Sequence, residues 1–137
     1  MRRISIFYTE LEADFTLTGL EFTNNNLQGS DEMGIFYLAS VSALVFADNL
    51  VTDNEGYLNL LTLVGEFSET TTFSNFTFER NDIYGFEINS IFLFKGDLDI
   101  ILSSFVIREN YFTISSFYKQ TSGSTEMKNL ECTSNTM

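Results

Sequence analysis

Three charged residues, Asp53, Arg80 and Glu109, each stand one place before an asparagine in otherwise similar stretches of the sequence. The place before them holds Thr52, Glu79 and Arg108, so acids and bases alternate through both positions. A fold that stacks these stretches brings the carboxylates and guanidinium groups onto one outer face. Such a group can bind an acidic sugar and exchange a proton with it, which is the chemistry of polysaccharide lyases and hydrolases. The same alternation also serves as cross-strand charge pairing that keeps like charges apart, with each pair contributing little. Charge pairing is the simpler reading, and no catalytic residue is assigned from it.

Other chemistries are bounded by what the 137 residues contain. There is no histidine, which excludes His-dependent triads and the common zinc sites. Gly-rich phosphate loops of the GxxxxGK[ST] and GxGxxG types are absent. Seven Lys+Arg against nineteen Asp+Glu give a formal charge of −12, which repels nucleic acid and anionic membrane surfaces. Asp31-Glu32 and Asp97-x-Asp99 are acidic, but neither belongs to a calcium-loop ligand series, and solvated loop charge explains them. Thr16, Val45, Thr72, Ile101 and Glu126 do not make the regular threonine column of an ice-binding face. No cofactor or metal is expected. One processing signal is present: Asn75-Phe76-Thr77 is an N-x-[ST] sequon, which makes Asn75 a candidate glycosylation site.

The elements that must position these residues are spelled out by a repeat. LTGLEFTNN (17–25), FADNLVTDN (46–54), FSNFTFERN (73–81), LSSFVIREN (102–110) and MKNLECTSN (127–135) align without a gap, ending in Asn25, Asn54, Asn81, Asn110 and Asn135. Ten residues before each stretch begins lies another apolar residue, giving Phe7, Phe36, Leu63, Phe92 and Phe117. Length variation then falls between the asparagine and the next turn, and the repeats are 29, 27, 29 and 25 residues apart. Side chains alternate with period two, as in Phe76 and Phe78 or Phe105 and Ile107, which is the strand pattern and not a helical one. With 44% hydrophobic residues, fifteen Phe, six Tyr and no Pro, the chain has the apolar material for one continuous core.

Three short strands in 25–29 residues suit one coil of a single-stranded right-handed parallel β-helix, here of about five coils in one all-β domain covering 1–137. A leucine-rich-repeat-like solenoid is a minority alternative, since the Asn after hxxhxh echoes that consensus. Stacking at about 4.8 Å turns sequence columns into physical ladders. The inward columns are Phe7/Phe36/Leu63/Phe92/Phe117, Leu17/Phe46/Phe73/Leu102/Met127, Leu20/Asn49/Phe76/Phe105/Leu130 and Phe22/Val51/Phe78/Ile107/Cys132. Asn49 is the polar exception and needs a partner or an outward turn. Cys132, the single cysteine, reads as a small buried residue. The asparagines that end the stretches read as a structural ladder at a tight turn, because an amide offers donors and an acceptor and Asn tolerates left-handed backbone.

Laid out in this way, the sequence resembles the right-handed parallel β-helix, pectin-lyase-like repeat proteins. The quoted runs FTLTGLEFTNNN, FSNFTFERN and ILSSFVIREN are most similar to the Phe/Asn-rich repeats of large ciliate and other protist surface proteins. The resemblance implies an extracellular or cell-surface location and glycan-rich surroundings. No apolar run reaches the ~18 residues of a membrane span. Glu10, Glu12 and Asp14 come too soon for a secretory signal within this chain. The reading expected from all of this is a non-enzymatic structural or adhesive module. It would be a fragment of, or stacking unit in, a longer solenoid, associating end to end with further coils and with glycans as further partners. A carbohydrate-active enzyme using Asp53, Arg80 and Glu109 is the alternative.

Overall fold

The structure is a computed structural model. It describes residues 7–9, 14–27, 34–39, 43–57, 59–65, 70–84, 90–113 and 116–136. Asp31 and Glu32 lie outside these. The strands are β1 (Phe7–Thr9), β2 (Asp14–Thr18), β3 (Glu21–Thr23), β4 (Asn26–Leu27), β5 (Gly34–Ala39), β6 (Ala43–Thr52) and β7 (Glu55–Tyr57), followed by β8 (Asn59–Val64), β9 (Thr71–Glu79), β10 (Asp82–Tyr84), β11 (Ser90–Arg108), β12 (Tyr111–Thr113) and β13 (Ser116–Thr133). All pairing is parallel, between equivalent strands of successive turns. One sheet runs β1-β5-β8-β11-β9-β6-β2, with β13 on β11 and β3 on β6, and a second runs β12-β10-β7-β4. This is a parallel β-solenoid of about four turns, against the five coils expected, and its second face stacks five rungs. Three strand faces per turn replace the single strand plus helix or 3₁₀ segment of a leucine-rich repeat, and that alternative is discarded.

Two corners bend the chain on every rung, and both use left-handed backbone. The first sits at Gly19, Asp48, Asn75, Ser104 and Asn129, with φ of 66°, 56°, 50°, 57° and 52°. The second sits at Asn24, Asp53, Arg80, Glu109 and Ser134, with φ of 55°, 56°, 51°, 56° and 54°. A single residue at positive φ redirects the strand without adding length, so the columns on either side stay in register. The first corner holds Gly, Asp, Asn and Ser, types that tolerate this region. At the second corner the left-handed residue is the one before the ladder asparagine, and not the asparagine itself as the sequence suggested.

The columns of the second face follow the sequence. Val45, Phe46 and Asn49 pair with Thr72, Phe73 and Phe76, and these with Ile101, Leu102 and Phe105. The first face departs from it. There Phe7, Phe36, Leu61, Phe92 and Tyr118 are in register, so Leu63 and Phe117 are displaced from the expected column. Leu61 and Leu63 are both fully buried, because residues two apart share a face and a slip of two keeps apolar side chains inward. The constant ten-residue spacing therefore fails in the third and fifth rungs, and the passage from first to second face also varies in length. A further departure is the third face. Strands β4, β7, β10 and β12 follow the asparagines directly, in what the spacing had assigned to a connection.

Inside, Phe46, Phe73, Phe76, Phe78, Phe92, Phe94 and Phe105 are all fully or almost fully buried. Rings on adjacent rungs lie 5.1 Å apart for both Phe46–Phe73 and Phe76–Phe105, while Phe76 meets Phe92 edge-on across the interior at 5.2 Å. Each such side chain contributes roughly 1.5–3 kcal/mol by burial, and tilted or edge-on ring pairs add to it. Asn49 is buried among them with its amide satisfied: Oδ1 accepts from the Leu20 N–H at 2.8 Å and Nδ2 donates to the Leu17 carbonyl at 3.1 Å. It bridges the first corner of the turn before it.

Candidate functional site

The second corner gathers the asparagines and the charged residues. From Asn54 to Asn135, each asparagine Oδ1 accepts two bonds from the asparagine one turn earlier, from its backbone N–H and from its Nδ2. The distances are 3.0 and 2.9 Å for Asn25 on Asn54, 3.0 and 2.9 Å for Asn54 on Asn81, 2.9 and 3.0 Å for Asn81 on Asn110, and 3.1 and 2.9 Å for Asn110 on Asn135. Nδ2 also reaches back to a carbonyl of the preceding rung: Asn54 to Phe22, Asn81 to Val51, Asn110 to Phe78 and Asn135 to Ile107, at 2.9, 3.1, 2.9 and 2.8 Å. A backbone N–H facing each Oδ1 fixes the amide orientation, since a flipped amide would set donor against donor. The run therefore has a sense, with donors pointing toward later rungs. Asn54, Asn81 and Asn110 are buried, and the end members Asn25 and Asn135 are half-buried.

Beside this run, the charged residues form a closed set around two arginines. Arg80 Nε and Nη2 donate to the two Asp53 oxygens at 2.8 and 2.9 Å, and Nη2 also reaches Thr52 Oγ1 at 2.9 Å. Its Nη1 pairs with Glu79 at 2.5 Å, and Glu79 takes Arg108 Nε on its other oxygen at 2.6 Å. Glu109, expected as the third member of the ladder, is not joined to Arg80. Among the described residues its side chain makes no hydrogen bond or ion pair, since Arg80 turns toward Asp53, Thr52 and Glu79 instead. The geometry thus brings together Asp53 and Arg80, and Glu79 and Arg108, and leaves Glu109 exposed, acting on Arg108 only through its charge.

The electrostatics follow from these contacts. Hydrogen bonds from Arg80 and Thr52, aided by the guanidinium charge, hold the Asp53 carboxyl below its ordinary 3.8. Burial pushes Glu79 upward, yet the bonds and charges of Arg108 and Arg80 outweigh it and hold it below 4.5. Arg80 is raised by its bonds to Asp53 and Glu79, so it stays protonated. A general acid needs a carboxyl raised toward neutral pH. These carboxyls are shifted the other way.

Sequence spacing missed an outer stripe on the third face. Tyr84 Oη donates to Asp82 Oδ2 at 2.9 Å and lies 3.4 Å from Glu55 Oε1. Those contacts, with the Asp82 bond foremost, push the phenol up to about 12. The Tyr57 and Tyr84 rings are 6.3 Å apart, and Tyr111 is exposed. The acid–x–Tyr pattern of Glu55-Gly56-Tyr57 and Asp82-Ile83-Tyr84, directly after the ladder asparagine, was the available signal.

Elsewhere, Asn75 is exposed at the first corner and donates to Asp48 at 2.9 Å. Asp97 and Asp99 accept from Ser122 and Ser124 of the next rung at 3.3 and 2.5 Å. The recess beside them, lined by Asp99, Ile101, Ser124 and Glu126, is remote from the arginines. Cys132 is exposed, contrary to its expected burial, and Met127 and Leu130 are 49% and 45% exposed. All three belong to the last described rung, whose inward column is covered by no further rung among the described residues. No family model, curated protein or solved structure matches the chain.

Proposed function

We propose that this chain is a non-enzymatic structural or adhesive β-solenoid module of an extracellular surface or filament, working by stacking with further coils. The observation that carries the reading is a contrast between sides and ends. On the sides the strongest cluster of charge is internally paired, Arg80 with Asp53 and Glu79, and Glu79 with Arg108. At the last described rung, by contrast, the apolar column and a strand edge are open. Unpaired strand edges template the addition of another chain. An extracellular setting is supported by the exposed position of the Asn75 sequon.

The reading is tested with a panel of neutral and acidic polysaccharides and the Arg80→Ala variant. No turnover by either protein, with concentration-dependent association of both, is the expected result. Turnover of an acidic polysaccharide that Arg80→Ala abolishes would replace this reading with an enzymatic one.

A further inference from the structure

We propose that the module's partner is a second copy of this chain, joined head to tail, with the last described rung of one copy seated under the first described rung of the next. This rests on the module reading and adds a partner, a direction and a register. Direction comes from the asparagine run. Among the described residues, the Asn25 Oδ1 at one end accepts no hydrogen bond, and at the other end the Asn135 N–H and the outward Nδ2 hydrogen have no acceptor. Within the chain, that same donor pair meets an Oδ1 at every step from Asn25 to Asn135. Only head-to-tail joining sets the Asn135 donors on an Asn25 acceptor. Joining two like ends sets donor on donor or acceptor on acceptor.

Register comes from the columns. Continuing them places Met127 on Leu17, Leu130 on Leu20, Cys132 on Phe22 and Asn135 on Asn25. Leu17, Leu20 and Phe22 are only partly buried, whereas Phe73, Phe76 and Phe78 in the same columns are fully buried. Among the described residues, the first and last rungs thus present the apolar surface that a further rung covers. One pair in this register is unfavourable, since Glu131 falls on Glu21 along the column Glu21/Leu50/Thr77/Val106/Glu131. Like charges directly opposite weaken a strand pair, and the same pair marks the register uniquely.

The test uses Phe22→Cys, which sets a second cysteine under Cys132. Stacked Cα atoms about 4.8 Å apart fall inside disulfide range, while the two cysteines of one chain, four rungs apart, are about 19 Å from each other and cannot close within it. Mild oxidation is expected to give a ladder of trimers and higher species, joined by disulfides between the introduced thiol at position 22 of one copy and Cys132 of the next, read by peptide mass spectrometry. Wild type, with one cysteine, stops at dimers. Glu131→Lys in the otherwise native chain is expected to tighten association by about five- to tenfold in sedimentation, as repulsion with Glu21 becomes attraction. Dimers joined only through like cysteines, with association unaltered by Glu131→Lys, would overturn the head-to-tail register and leave the module reading standing. Monomers throughout, for wild type and both variants, would overturn both.

Discussion

Replacing Asn81 with alanine isolates what the amide run contributes. The side chain takes part in four hydrogen bonds: Oδ1 accepts from the Asn54 N–H and Nδ2 at 3.0 and 2.9 Å, and Nδ2 donates to Val51 O and Asn110 Oδ1 at 3.1 and 3.0 Å. It is 1% exposed, so water does not replace them. Four bonds at roughly 0.5–1.5 kcal/mol each, together with a buried Asn54 N–H left without an acceptor, give a loss of about 3–5 kcal/mol. That is a large fraction of the roughly 5–15 kcal/mol that holds a domain folded. Asn25→Ala is the internal control. Asn25 is half-buried at the end of the run and its amide donates to Asn54 and Thr23 without accepting among the described residues, so its loss should be about 1–2 kcal/mol. Urea unfolding followed by far-UV circular dichroism measures both. Equal losses in the two variants, or less than about 1 kcal/mol for Asn81→Ala, would mean that the buried amide run does not hold the rungs together.

The same geometry yields three further expectations. Gly96→Ala would place a Cβ 1.9 Å from the Gly65 carbonyl oxygen at φ +125°, so it should unfold the protein or cost at least about 3 kcal/mol, read from the melting temperature. Glu109→Gly relieves about 1–2 kcal/mol of left-handed strain against roughly 0.5–1 kcal/mol of added chain entropy. With no side-chain hydrogen bond or ion pair to lose among the described residues, and only an exposed, screened attraction to Arg108, it should raise stability slightly, whereas Arg80→Gly should not, since it also removes the bonds to Asp53 and Glu79. Glu79 is held below its ordinary 4.5 in the fold, so the stability it contributes is complete above about pH 4.5 and is lost as pH falls through the lower folded value. Glu79→Gln should flatten that acid limb in pH-dependent unfolding, and an unchanged slope would show that the pair with Arg80 and Arg108 does not contribute.

How far the sequence exposed this architecture depended on which residues were free to vary. The second face was legible because single left-handed residues at Gly19, Asp48, Asn75, Ser104 and Asn129 turn the chain without changing its length. The asparagine positions were legible because one residue type recurs where an amide must both donate and accept. The first face was not, since Leu61 and Leu63 or Phe92 and Phe94 present the same apolar pattern after a slip of two. The third face was hidden by its brevity: Asp82–Tyr84 gives a single buried side chain, Ile83, between two outward ones. In the charged cluster, columns identified neighbours but not which way each guanidinium points, and Arg80 turns toward Asp53 and Glu79 rather than Glu109. Cys132 was placed correctly in its column and wrongly in its burial, because column membership says nothing of whether a further rung lies above.

Copies of the chain are expected to continue one another's rungs. Electron microscopy of the purified protein at high concentration and moderate salt tests it directly, with salt screening the −12 charge. Five rungs per copy at about 4.8 Å predict unbranched filaments with a 4.8 Å layer line and an axial repeat of about 24 Å. A monodisperse monomer at every concentration, or an assembly lacking the 4.8 Å spacing along its axis, would contradict the account.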